Sequence, residues 1–148
     1  EVAASASAAE RDFEAFAAMS RHRWGRPLDP AFVAFHRKLV PRMFAAGHVL
    51  LARLRVGGDV VAMKYDYAYD GRVWGYQGAW RPEFAKYEVG SVLLCELFQY
   101  AIKAGCREYD FLEGDDWYKT RWSTHVLHAR DLLHGKARGA YIFDDDAG

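Results

Sequence analysis

A chain of 148 residues with 20 Lys and Arg against 20 Asp and Glu has no formal net charge, and 51% of it is hydrophobic. That length suits one domain with one core, and the balance excludes wholesale disorder. Neutrality removes any bulk field that would hold DNA or an anionic membrane. No stretch reaches the ~20 apolar residues of a transmembrane span, and two cysteines cannot build a disulfide scaffold, which points to a reducing, cytoplasmic setting.

Residues 1–9 are mostly Ala and Ser and read as a linker remnant, with neither the basic nor the apolar region of a signal peptide. A single domain is expected over residues 10–143, followed by an acidic tail at 144–148. The opening Glu reads as one piece of a longer protein. Phe13, Phe16, Ala17, Ser20 and Trp24 recur at i, i+3, i+4 spacing and predict a helix over 10–24. Asp29-Pro30 is an N-cap followed by proline at the first helical position. The helix it opens carries Phe32, Phe35, His36, Leu39, Val40 and Met43 on one side and ends at Gly47, with Pro41 as an expected kink or break.

The period then falls to two. Residues 48–56, 59–69 and 72–79 predict three strands joined by Gly57-Gly58 and Asp70-Gly71, dipeptides suited to tight hairpin turns. If Val56 faces Asp59 and Tyr69 faces Arg72, regular pairing puts Leu50, Ala52, Leu54, Val61, Met63, Tyr65, Tyr67, Trp74 and Tyr76 on one face. Arg53, Arg55, Lys64, Asp66 and Gln77 fall on the other. After a loop at 80–89, a helix over 90–104 presents Leu93, Leu94, Leu97, Phe98, Ala101 and Ile102 as a buried stripe, and Gly105 stops it. Residues 107–112 predict a short strand, 114–122 a loop with a short helix, and 125–133 a last strand. The fold class is α+β, α/β-like: a mixed, mostly antiparallel sheet with a β-α-β parallel crossover and flanking helices.

Two places could carry chemistry. One is the start of the long helix, where Lys86 precedes Gly90-Ser91. Helix N-termini attract phosphate, although Gly90 as a turn residue and Ser91 as an N-cap explain the same letters. The other is the run from Tyr109 to Trp122, which packs acids, a phenol and an ammonium just past a strand end. A solvated acidic turn between aromatic anchors is its plain structural reading. The six histidines are scattered and the cysteines stand apart, so no metal site is expected. Tyr65, Tyr67, Trp74 and Tyr76 could stack bases, but without positive charge they read as core or pocket lining.

Arg23-Trp24, Gly58-Asp59-Val60-Val61-Ala62, Gly90 before a Leu-rich helix, Tyr109-Asp110-Phe111-Leu112-x-Gly114 and Tyr118-Lys119-x-x-Trp122 together set a pattern. It resembles the GNAT-type acetyltransferase domain of bacterial exopolysaccharide and cellulose-biosynthesis accessory proteins, a branch similar to the Fem-type peptidyltransferases. The resemblance implies an acyltransferase, with acetyl-CoA as co-substrate, acting on an amine or hydroxyl of a small-molecule or saccharide acceptor in polysaccharide biosynthesis. It implies that Lys86, Gly90, Ser91 and Val92 hold pyrophosphate and that Tyr76, Gln77 and Gly78 line the pantetheine. It also implies catalytic roles for Lys119, Tyr118, Asp115 and Glu113. Tyr118 would protonate the departing thiolate, Lys119 stabilise an oxyanion, and Asp115 or Glu113 receive the acceptor's proton. The general Arg/Gln-x-x-Gly-x-Gly/Ala signature is replaced here by Lys86-x-x-x-Gly90-Ser91. Members often have two related halves, so a second GNAT-like half or a homo-oligomer is an expected partner. The rival readings are Fem-type aminoacyl transfer from charged tRNA and a degenerate, non-catalytic GNAT module.

Overall fold

The computed structural model describes residues 1–114 and 116–126, and the chain divides into two compact units, Glu1–Tyr109 and Asp110–Gly148. The first unit opens on α1 (Ala6–Trp24) and α2 (Pro30–Ala45). Ser5 caps α1, its Oγ accepting from Ala8 N–H at 3.2 Å. The alanines that composition reads as linker are strong helix formers and extend α1 back to Ala6. Residues 1–4 are also built in. Val2 bridges Ala52, Ala3 N–H donates to Leu51 O at 2.8 Å, and Arg53 N–H donates to Glu1 O at 2.9 Å. Asp29 caps α2 as expected, and the helix runs through Pro41 unbroken.

The meander follows: β1 (Val49–Val56), β2 (Asp59–Tyr69) and β3 (Arg72–Trp80), paired antiparallel about the two expected turns. Its register departs from regular alternation twice. Arg55 pairs with Val60 but Leu54 with Ala62, so Val61 is an extra residue on β2. Tyr67 pairs with Trp74 but Tyr65 with Gln77, so β3 carries an extra residue at Gly75-Tyr76. Each bulge shifts everything beyond it by one position. Leu51, not Leu50, faces Tyr65, and Met63 faces Ala79 rather than Gly78. The single hydrophobic face expected from alternation is therefore two. Val49, Leu51, Met63, Tyr65 and Ala79 pack with Phe13, Phe16 and Val40 from α1 and α2. Ala52, Val61 and Ala62 pack with Val89, Leu93 and Leu97 on the opposite face.

A 3₁₀ segment (Pro82–Tyr87) occupies the expected loop and leads into α3 (Val89–Lys103). Leu93, Leu94, Leu97 and Ala101 are buried, whereas Ile102 is 71% exposed, because the stripe is narrower than its sequence pattern. β4 (Glu108–Asp110) takes its place beside β3 after α3, giving the order β1-β2-β3-β4 in a mixed sheet with flanking helices. It is shorter than the expected 107–112. Leu112 adopts φ 57°, which ends extended backbone. In the second unit α4 (Trp117–Trp122) follows. Of the strand expected at 125–133, residues 125–126 are not in a strand, and 127–133 lie outside the described residues, as does the acidic tail.

Candidate functional site

β3 has nine residues and β4 three, so the far end of the outer edge of β3 has no strand beside it among the described residues. The direction of its backbone groups follows from the pairing. Arg81 N–H donates to Val61 O at 2.9 Å, next to the Ala62–Trp80 pair. Bonded and non-bonded pairs alternate in an antiparallel ladder, so Met63–Ala79 is bonded and Lys64–Gly78 is not. The N–H and C=O of Gly78 consequently point away from β2, toward the open edge.

That edge leads to α3. Its N-cap is Glu88 at φ 49°, not Ser91, and Gly90 and Ser91 lie in the first turn, whose N–H groups precede the first helical hydrogen bonds. The Val92 N–H already donates to Glu88 O at 3.0 Å, and its side chain is 45% exposed. A Cβ on Gly90 would touch the Trp80 ring at 3.5 Å. Lys86 is exposed and lies 4.9 Å from the centroid of Tyr87. Gly90 therefore lies against Trp80, which follows Gly78 by two residues on β3. Gln77 lies opposite Tyr65. The ring of Tyr76 instead stacks with Phe32 and His36 in the core beneath α2, where burial raises its pKa.

Two features here lie outside the site residues expected from the sequence. Arg23, at the end of α1, donates through Nη1 to Gly78 O and lays its guanidinium 4.0 Å above the Trp80 ring. Asp66, fully buried on β2, accepts from Tyr76 N–H at 3.1 Å, from Lys64 Nζ at 3.0 Å and from Tyr109 O–H at 2.6 Å. Burial pushes its carboxyl pKa up, and Lys64 and Tyr109 pull against that. The Asp66–Tyr109 bond joins β2 to β4 across β3, and only a glycine at position 75 allows it. A Cβ there would stand 2.8 Å from the Tyr109 ring.

The second unit holds the other group of expected residues. Asp110 Oδ1 accepts from Leu112 N–H at 2.7 Å, and Leu112 and Gly114 both take positive φ. Buried Lys119 donates through Nζ to the backbone oxygen of Glu113 and lies 3.6 Å from Asp116 Oδ2. Lys119 and Glu113 therefore meet through Glu113's main chain, while its side chain is exposed. Tyr118 presents its ring edge-on to Phe111 at 6.3 Å. Asp115 lies outside the described residues. Among the described residues no cluster of three metal-ligating side chains occurs, and no helix is long and apolar enough to cross a membrane.

A family model described as an acetyltransferase (GNAT) domain matches residues 1–120. A solved structure, the PaiA N-acetyltransferase from Thermoplasma acidophilum in complex with coenzyme A, aligns with a TM-score of 0.55 at 10% identity. The alignment covers 95% of this chain and 98% of that one, a likeness of fold. No curated protein matches the sequence.

Proposed function

This chain belongs to the GNAT acetyltransferase family, and from that premise we propose that it moves an acetyl group from acetyl-CoA to an amine or hydroxyl of a small or saccharide-like acceptor. One observation carries the reading. Gly78, with its N–H and C=O turned outward, stands two residues along β3 from Trp80, whose ring lies against Gly90 in the first turn of α3, and no strand covers that stretch of β3 among the described residues. An extended carrier with amides and a diphosphate suits such an edge, since the amides pair with β3 and the anion meets helical N–H groups.

Within that reading, Gly90 and Ser91 bind the diphosphate and Gly78 orients the carrier. An attacking amine must lose a proton and the departing thiolate gains one, a task worth about 10²–10⁴-fold to a positioned side chain. Tyr118 is the proposed acid, Lys119 the cation for developing negative charge, and Asp115 or Glu113 the proton acceptor. The segment from Tyr109 through Trp122 supports placement in the polysaccharide-accessory branch, and thus a cytoplasmic role in making a saccharide. The decisive experiment is thiol release from acetyl-CoA across a panel of amines, sugars and sugar nucleotides. Release that depends on one acceptor class supports the proposal. No release with any acceptor, and no binding of CoA at about millimolar concentration, would instead favour a non-catalytic module. The acidic Glu88 at the cap of α3 is the observation on that module's side.

A further inference from the structure

Away from the sheet, α3 has a second face. Leu93, Leu94, Leu97 and Ala101 turn inward, while Val92, Glu96, Gln99 and Lys103 recur at spacings of four, three and four, the rhythm of a seam along which two helices pack. All four are exposed, and Tyr100 beside them is 42% exposed. Between α3 and residues 1–4 runs a groove of about 480 Å³, floored by Ala52, Leu93 and Leu97 and rimmed by Glu96, Tyr100 and Lys103. Glu96 and Lys103 make no ion pair among the described residues. The positions three and four residues from Glu96 hold Val92, Leu93, Gln99 and Tyr100, and Lys103 lies seven residues off, about 10 Å along the axis. Neither charge can answer the other within one helix.

We propose that this face of α3 binds the same face of a second copy, the two helices running antiparallel about a two-fold axis at Gln99-Tyr100. In that register Glu96 of each copy faces Lys103 of the other, which gives two equivalent ion pairs. Parallel helices would set like charges together, so charge alone selects the orientation. Tyr100 stands at the axis and supplies each groove with an aromatic side chain from the opposite copy, the residue type that most often anchors such interfaces. The pairing is independent of the acetyl-CoA reading. The partner's α3 ends at Lys103 and therefore reaches no further than Glu96, short of Gly90 and Ser91.

Sedimentation velocity of the full chain over a dilution series tests the pairing. Wild type should dimerise with a Kd of about micromolar order, and added salt should weaken the dimer. Glu96→Lys and Lys103→Glu should each weaken it by about tenfold or more. Both side chains are exposed, so melting temperatures taken at dilutions where wild type is monomeric should match. Two recoveries are then expected. Glu96→Lys and Lys103→Glu combined in one chain should bring the dimer back to near wild-type strength. The two single variants, mixed in equal amounts, should pair with each other in preference to themselves. Tyr100→Ser should weaken the dimer and leave its salt dependence unchanged. A chain that stays monomeric at every concentration overturns the proposal. So does a dimer indifferent to both charge exchanges, and so does a loss of pairing that neither recovery reverses.

Discussion

Lys119 shows how a single side chain can hold two jobs. Its buried ammonium ties down the backbone at Glu113, beside two residues in positive-φ conformations. Such geometry persists only where neighbours over-determine it. Lys119→Met preserves the stem and removes the charge. It is expected to lower thiol release by about 10²-fold and to speed hydrogen exchange at residues 112–114. Faster exchange with undiminished turnover would reduce Lys119 to a strut. Gly75 makes a sharper point about size. Gly75→Ala puts a carbon where the Tyr109 ring lies and should cost about 1–3 kcal/mol, read as a lower melting temperature. Tyr109→Leu as background should remove most of that cost; equal costs in both backgrounds would show that the clash is not with Tyr109. Arg23 was legible only as part of a resemblance, because its partner Gly78 is 55 positions away and no local pattern links them.

At the scale of elements, what the sequence reveals depends on how local the determinant is. The two hairpin turns and the caps Asp29 and Gly105 act through neighbouring residues, and they appear where alternation and turn chemistry put them. The bulges at Val61 and Gly75-Tyr76 were not legible. With both faces of the sheet buried, an extra residue leaves no break in the hydrophobic alternation. The sequence pattern of α3 marks its start within one residue but not its cap, since Glu88 adopts a left-handed conformation that acidic residues seldom announce. Gly90 tests this end of the helix. Position 90 has room for a methyl group at ordinary contact distance from Trp80. Gly90→Ala should therefore raise stability by about 0.5–1 kcal/mol while weakening CoA binding, if a ligand approaches that backbone. Tighter folding with unaltered CoA affinity would take Gly90 out of the site.

For the molecule as a whole, the aromatic layer under α1 and α2 sets an alkaline limit. Burial, aided by the hydrogen bond to Tyr67 O–H at 2.7 Å, raises the Tyr65 pKa, and burial raises those of Tyr67 and Tyr76. The unfolded chain ionises these phenols near pH 10 while the folded one holds their protons. Their stabilising contribution is intact below about pH 10 and declines above it, by about 1.4 kcal/mol per pH unit for each phenol still protonated. Melting temperature should stay level up to about pH 9.5 and then drop, more gently in Tyr65→Phe. Identical slopes in the two proteins would mean that Tyr65 is not among the groups responsible. The sheet has a different weakness at its opposite margin. Residues 1–4 lie along β1 and occupy Leu51 O and Arg53 N–H. Trimming those four residues would leave a bare ladder able to template a second copy, so a shortened version should polymerise on standing where the full chain does not.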